Sequence, residues 1–220
     1  AWRFKAMHGV NEKGPKGLFF CVAPFQSLTG ANADRWLACH PGSEAVLALG
    51  LLRTALQKGR GKDLPAALIG KLHDISSRYT RETVTELTGV AGTDYDKLTE
   101  ALMKAQRPLV LPTGGAASSP HALQADMAVN SLNWVLDPTL AWIDFEHRHR
   151  VEMASSRANV LQFFESLEDD PVDVVLLHNV NPVFTNPNAG FIGEVLEGKD
   201  TFVVSFCSVL DETSELADLV

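Results

Sequence analysis

Short apolar runs that alternate with longer segments of helical periodicity constrain the fold of this 220-residue chain most strongly. The clearest run is Val172–Leu177, and the others are Leu18–Val22, Leu109–Leu111, Leu140–Phe145 and Thr201–Phe206. Short strands separated by helices are typical of βαβ units, with parallel pairing and right-handed crossovers. The sequence therefore predicts an α/β fold built around parallel strands.

The intervening segments have the apolar spacing of amphipathic helices. The predicted helices are Ser43–Leu56, Pro65–Ser76, Arg81–Leu87, Asp94–Ala105, a long helix from Pro120 to about Val135, Asn159–Leu167 and Phe191–Leu196. Thr93 is the expected N-cap of one helix, and Pro120 suits the first turn of another. The loop 113–119 between a strand and a helix is rich in glycine but lacks P-loop spacing, so it is interpreted as a plain βα connection.

Net charge argues against a nucleic-acid partner, and the length of the apolar runs argues against insertion into a membrane. The net charge is −8, and the only basic cluster is Arg148 and Arg150 around His149, so nucleic-acid binding has little electrostatic support. No run approaches the roughly 20 apolar residues of a membrane helix, so direct membrane insertion is not expected.

The three cysteines are far apart and odd in number. Cys21, Cys39 and Cys207 each lie in an apolar context. This pattern does not favour a disulfide framework or a cysteine-rich metal site. We expect all three to be small residues of the buried core.

Ligands of parallel sheets bind at the carboxyl ends of the strands. After the first strand, Gly42-Ser43 at a helix start can offer amides to an anion, and Glu44 can accept hydrogen bonds from a guanine-like edge. The same residues also suit an ordinary turn with an acid at the positive end of the helix dipole. After Leu177, an asparagine-rich and proline-rich loop fits either a polar ligand or a turn. The residues alone leave both alternatives open.

Several motifs together resemble the large subunit of the molybdopterin oxidoreductase family, which includes formate dehydrogenases and dimethyl sulfoxide reductase. In chain order these are Ala23-Pro24-Phe25 with Thr29, Ala33-Asp34 and Pro41-Gly42-Ser43-Glu44; Tyr79-Thr80-Arg81-Glu82 with Leu87-Thr88-Gly89-Val90; Asn181-Pro182; and Asp211-Glu212-Thr213 with Ala217-Asp218-Leu219-Val220. Each motif alone is weak, but their order and spacing extend across nearly the whole chain. The chain is similar to an internal segment of such a subunit.

The resemblance implies where a bis-molybdopterin guanine dinucleotide with molybdenum or tungsten would be held. One side of the dinucleotide site would be formed by Thr29, Gly42, Ser43 and Glu44. The other side would be formed by Asn179, Asn181, Pro182, Glu212 and Thr213.

The resemblance also implies an organisation. Residues 1–145 would form a Rossmann-like nucleotide-binding domain, and residues 146–220 would form part of a second, similar domain. The iron–sulfur cluster and the metal ligand would lie in other domains of the parent chain. Its partners would be iron–sulfur and membrane subunits of a redox complex, and its expected location is periplasmic or membrane-associated.

Two strand ends depart from the family pattern. Ala23 and Phe25 replace an aspartate and an arginine at the first strand end, and Cys207 aligns with an aspartate at the last strand end. Each lost charge-assisted bond weakens binding by about 1.5–3 kcal/mol, so two losses amount to about two to four powers of ten. Two hypotheses follow: a segment that holds the cofactor, or a cofactor-less structural subunit of an electron-transfer complex. A free-standing nucleotide-binding α/β domain is a third, more distant reading.

Overall fold

The computed structural model describes residues 17–112, 121–148, 150–198 and 200–220. The chain divides into two compact units, one ending at Glu146 and the other beginning at His147. The glycine-rich loop 113–119 and the predicted helix start at Pro120 lie outside the described residues.

The first unit pairs two short parallel strands and surrounds a central helix with others. Its elements are β1 (Phe20–Val22), α1 (Leu28–Ala31), β2 (Arg35–Leu37), α2 (Glu44–Gln57), α3 (Ala66–Ser76), α4 (Arg81–Thr88), α5 (Gly92–Lys104) and α6 (Ala122–Leu136). In the β1–β2 pair, Phe20 lies opposite Arg35 and Val22 lies opposite Leu37. The carboxyl ends of these two strands therefore lie side by side.

Helix α2 forms the centre of this unit. Its apolar residues recur on more than one face, and Leu52 and Ala55 are completely buried. The helices α3, α4, α5 and α6 pack around it. At Gly50 the packing is tight, because an added Cβ would lie 2.4 Å from Val84 Cγ2. The glycine therefore permits α2 and α4 to approach one another.

The second unit contains a longer parallel strand pair with helices. Its elements are the 3₁₀ turn Val151–Met153, α7 (Arg157–Asp169), β3 (Val174–His178), α8 (Pro182–Thr185), α9 (Ala189–Leu196), β4 (Phe202–Phe206) and the 3₁₀ turn Ser214–Leu216. Val174 pairs with Phe202 and His178 pairs with Phe206. Beyond β4, Leu219 forms a parallel bridge with Val204, so β4 is hydrogen-bonded on both edges.

The α/β class with parallel strand pairs is confirmed. Every predicted helix has a counterpart whose described ends lie within about two residues of the expected ones. Among the described residues, no helix is long and apolar enough to cross a membrane.

Two predicted strands are wrong, and side-chain hydrogen bonds explain both. The segment Leu109–Leu111 is not a strand, because the Asn133 side chain takes both backbone groups of Val110: Oδ1 accepts from the amide at 2.9 Å and Nδ2 donates to the carbonyl at 2.7 Å. The segment Leu140–Phe145 is a series of turns. Its start is fixed by Asp137, whose carboxylate accepts from the amides two and four residues ahead.

Two finer predictions also need correction. Helix α5 begins at Gly92, because the Ala91 carbonyl accepts from the amides of residues 94 and 95, so Thr93 lies inside the helix and is not its N-cap. All three cysteines are free, yet only Cys39 is fully buried; Cys21 and Cys207 are partly exposed. Cys21 lies on β1, and Cys207 directly follows the end of β4.

Candidate functional site

At the first strand end, the backbone of Ala23 is occupied by the neighbouring strand. The Ala23 amide donates to the Leu37 carbonyl at 3.2 Å, and its carbonyl accepts from the Trp36 indole Nε1 at 3.1 Å. The methyl side chain adds no hydrogen-bonding group. This position therefore offers no acceptor in place of the aspartate that the family carries there.

The loop after Ala23 leads into α1 and exposes an apolar surface. Phe25 is 70% exposed and Leu28 is 86% exposed. Ser27 caps α1 by accepting from the Gly30 amide at 3.3 Å. Thr29 lies exposed on this four-residue helix, which is a separate element from the Gly42–Glu44 turn.

The Gly42–Glu44 turn forms the start of α2. Gly42 has φ +79°, and no heavy atom lies within 4 Å of the position of an added Cβ, so the space above it is open. Ser43 is buried, and its hydroxyl donates to the His40 carbonyl at 2.6 Å. Glu44 is the partly exposed first residue of α2. The helix start and Glu44 can therefore face a ligand, while the Ser43 hydroxyl is already engaged.

The turn is anchored to α4 by His40, a residue that the sequence analysis did not single out. The His40 amide donates to the Thr88 carbonyl at 2.7 Å, and its Nδ1 lies 3.2 Å from the Leu87 carbonyl. Gly89, at φ +70°, lies against the imidazole: an added Cβ would be 2.6 Å from Nε2. Two features of the sequence could have pointed to His40: it directly precedes Pro41-Gly42, and a helix end is indicated at Thr88-Gly89. Their contact was not visible in the sequence.

Beside this turn, Cys39 is held in its protonated form. Burial raises the pKa of its thiol from an ordinary 9.0 to about 11, and the negative charge of Glu44 adds to the shift. A thiol with so high a pKa is a poor nucleophile and a poor metal ligand at neutral pH. Cys39 is therefore a packing residue.

In the second unit, Asn179 and Asn181 follow β3. Asn179 has φ +51°, and its amide donates to the Phe206 carbonyl at 3.1 Å, which extends the β3–β4 ladder by one bond. Asn181 is the N-cap of α8, accepting from the Phe184 amide at 3.2 Å, with Pro182 as the first helical residue. These residues shape the turn between β3 and α8.

The structure brings Asn181 together with Glu212 and Thr213, which follow β4. Asn181 Nδ2 donates to Glu212 Oε2 at 2.7 Å, and the Thr213 hydroxyl donates to Asn181 Oδ1 at 2.6 Å. The same hydroxyl accepts from the Val183 amide at 3.1 Å, and Thr213 is completely buried. We call Asn181, Glu212 and Thr213 the amide cluster. Its hydrogen bonds connect the two strand-end loops.

The carboxylates of Glu212 and its neighbour Asp211 are stabilised by hydrogen bonds from neutral groups. The hydrogen bond from Asn181 holds the pKa of Glu212 below its ordinary value. In the next turn, the Ser214 amide donates to Asp211 Oδ1 at 2.8 Å, and this bond is the main reason why the pKa of Asp211 is lowered. Glu212 is therefore stabilised by a side chain of the loop after β3, and Asp211 by a backbone amide of its own loop.

An open cavity lies at the opposite end of the second unit. It is an open groove of about 680 Å³ at the amino ends of β3 and β4, away from the predicted site. Its acidic residues are Asp173, Glu197, Asp200, Glu215 and Asp218. The negative charge of these residues disfavours phosphate groups. Among the described residues, no group of three or more potential ligands is placed to hold a metal ion.

Comparison with known proteins supports the family resemblance. The chain is 28% identical, over a 227-residue alignment covering 97% of it, to the menaquinone reductase molybdopterin-binding-like subunit of Nitratidesulfovibrio vulgaris. It is 22% identical to the probable oxidoreductase YoaE of Bacillus subtilis, over 96% of its length. It spans about a third of either relative: 32% of the first and 34% of the second. No protein-family model matches the chain.

The fold is shared with a solved structure. Acetylene hydratase from Pelobacter acetylenicus superposes with a TM-score of 0.66 at 14% identity, over 91% of this chain and 36% of that one. The α/β architecture is therefore that of a segment of this larger enzyme. Together with the sequence similarity, it supports a molybdopterin-oxidoreductase-like family for the chain.

The residues present form an incomplete set of donors and acceptors for the dinucleotide that the family implies. Ala23 supplies no carboxylate, and the side chains of Asn181 and Thr213 are bonded to one another. The turn at Gly42 and Glu44 is the part whose geometry still suits a nucleotide. The set as a whole does not fit two dinucleotides.

Proposed function

We propose that this chain is a segment of a molybdopterin-oxidoreductase-like subunit whose role in an electron-transfer complex is structural. In this proposal the loops after the strands keep the family's fold but do not bind the pterin dinucleotide. Because the chain spans only about a third of its curated relatives, the proposal concerns a longer polypeptide.

The amide cluster carries the proposal. A side chain that binds a nucleotide needs donors or acceptors that face the ligand. Asn181 accepts at Oδ1 from Phe184 and Thr213 and donates one Nδ2 hydrogen to Glu212, which leaves only the second Nδ2 hydrogen for a ligand. Releasing the Thr213 hydroxyl would leave the Val183 amide without its acceptor. An unmade buried hydrogen bond costs about 1–3 kcal/mol, which opposes any rearrangement toward a ligand.

Residue chemistry at the first strand end supports the same conclusion. A guanine nucleotide carries donors and negative phosphates, which favour carboxylate and arginine partners. Ala23 and the 70% exposed Phe25 provide neither. An exposed phenylalanine is better suited to contact with another protein surface than to phosphate binding.

The names of the two relatives suggest the kind of complex in which the parent subunit works. One is a molybdopterin-binding-like subunit of menaquinone reductase, and the other is a probable oxidoreductase. We therefore propose that the parent subunit assembles with iron–sulfur and membrane subunits of a quinone-linked complex, at a periplasmic or membrane-associated location. Electron transfer would take place at the centres of those partners.

A second candidate function is retention of one nucleotide at the α2 start. Gly42 is open, and Glu44 can accept from a guanine edge. At the start of the 14-residue helix α2 the amides of Val46 and Leu47 donate to the Ser43 carbonyl, so the amides of the first two residues are the ones that can face an anion. In that case a bound molybdenum or tungsten pterin would supply the redox chemistry. Gly42 and Glu44 would hold only its nucleotide end.

Titration of the chain with GDP, followed by two-dimensional amide NMR, separates the two candidates. We expect no saturable shifts at millimolar GDP. Saturable shifts at residues 40–46 that are lost in Glu44→Gln, but kept in the control Asp63→Asn, would support the nucleotide site instead. Asp63 is an exposed acid of the same unit, so the pair of variants has equal net charge.

A further inference from the structure

The two faces of the β3–β4 sheet differ sharply in burial. The inward side chains Val175, Leu177 and Val203 are buried against α7 and α9, in a core with Phe164 and Ile192. The opposite face, which we call the outer face, consists of Val174, Leu176, His178, Phe202, Val204 and Phe206.

The outer face is apolar and exposed. Val174 is 50% exposed and Leu176 is 65% exposed on β3, while Phe202 and Phe206 are 49% and 55% exposed on β4. The register places Val174 beside Phe202 and Leu176 beside Val204, so these side chains form one continuous surface. Contiguous apolar surfaces of this kind mark interaction sites.

The parallel pairing restricts what can cover the outer face. Parallel sheets occur almost only with both faces covered, and the covering elements are helices. Five of the six outer-face residues are apolar, as expected for a strand buried on both sides rather than one facing water. A helix with an apolar stripe is the element that such a face fits.

We propose that the outer face is the docking surface of an amphipathic helix supplied by sequence outside these 220 residues, within one longer polypeptide. The relatives carry about two thirds of their length outside the region that the chain matches, which is ample for such a helix. The inference does not depend on whether a cofactor is held. It makes the second unit a sheet layer that is completed by the rest of the subunit.

Thiol labelling of the longer polypeptide and of the 220-residue chain tests this proposal. Leu176→Cys reports on the outer face, and Val174→Cys is a second reporter in case the first variant misfolds. Glu165→Cys, on an exposed position of α7, is the matched control. Maleimide labelling is read by mass spectrometry of each peptide, so that the native cysteines are scored separately.

In the 220-residue chain, the thiols introduced by Leu176→Cys and Glu165→Cys should react at similar rates. In the longer polypeptide, the thiol at position 176 should react slower by about tenfold or more, while the rate at position 165 is unchanged. A photo-crosslinker at position 176 should then join a helical segment of the same polypeptide.

Three results would overturn the proposal. Equal labelling of positions 176 and 165 in the longer polypeptide would leave the outer face uncovered. Protection already present in the 220-residue chain at high dilution would assign the cover to this chain itself. Protection that grows with concentration, or crosslinks between two polypeptides, would assign it to a second copy.

Discussion

Removal of one hydroxyl should loosen the second unit even without any ligand. In Thr213→Val the side chain keeps its shape but loses the donor to Asn181 Oδ1 and the acceptor for the Val183 amide. Asn181 Oδ1 keeps its bond from the Phe184 amide, so the Val183 amide is the group left unsatisfied. Because Thr213 is completely buried, the expected cost is about 1–3 kcal/mol of unfolding free energy.

Hydrogen exchange measured by mass spectrometry is the appropriate assay. All four tryptophans precede residue 147, so tryptophan fluorescence reports only on the first unit. Exchange in peptides covering β3 and β4 should accelerate by about 5- to 150-fold in Thr213→Val, where exchange requires opening of the unit. The control Thr213→Ser retains the hydroxyl and should remain closer to wild type. Equal exchange in Thr213→Val and wild type would refute the structural role of the amide cluster.

Three further predictions concern the first unit, each measured by urea unfolding with tryptophan fluorescence. Gly50→Ala should lower the free energy of unfolding by about 1–3 kcal/mol, because the added Cβ would lie 2.4 Å from the Val84 side chain of α4. The control Gly70→Ala, in open space within α3, should be neutral or stabilising. Equal effects of the two variants would contradict the close packing at Gly50. Gly42→Ala should lower the free energy of unfolding by about 1–2 kcal/mol through its positive φ alone. Gly89→Ala should lower it further, because the added Cβ also meets the imidazole of His40. Equal losses would contradict that contact. The Cys39 thiol is held protonated by folding, so its contribution to stability is complete below pH 9.0 and is lost as the pH rises toward about 11. Cys39→Ala should flatten this alkaline loss, and an unchanged pH profile would count against the raised pKa.

The longer helices were predictable because their apolar spacing extends over enough residues to be unambiguous, whereas the four-residue helices α1 and α8 were not predicted. Glu44–Gln57 shows this best, since its apolar residues recur along its whole length. Short apolar runs were less reliable: Leu109–Leu111 has the composition of a strand, but Asn133, which is distant in the sequence, takes its backbone hydrogen bonds. The strand Arg35–Leu37 was missed because it is three residues long and begins with a charge.

The candidate site was predictable only as a location. Parallel strands bring the loops after β3 and β4 together, so the proximity of Asn181 to Thr213 follows from the pairing. Whether two such side chains face a ligand or each other depends on small differences in distance and orientation. The hydrogen bond between Thr213 and Asn181 could therefore be seen only in the structure, and the same holds for the packing of His40 on Gly89.

The central claim is tested most directly by the metal and pterin content of the longer polypeptide that contains this chain. Molybdenum and tungsten are measured by elemental analysis, and pterin by fluorescence after acid release and oxidation. The structural account predicts a folded protein with neither metal nor pterin in stoichiometric amount. Stoichiometric metal together with pterin would contradict it.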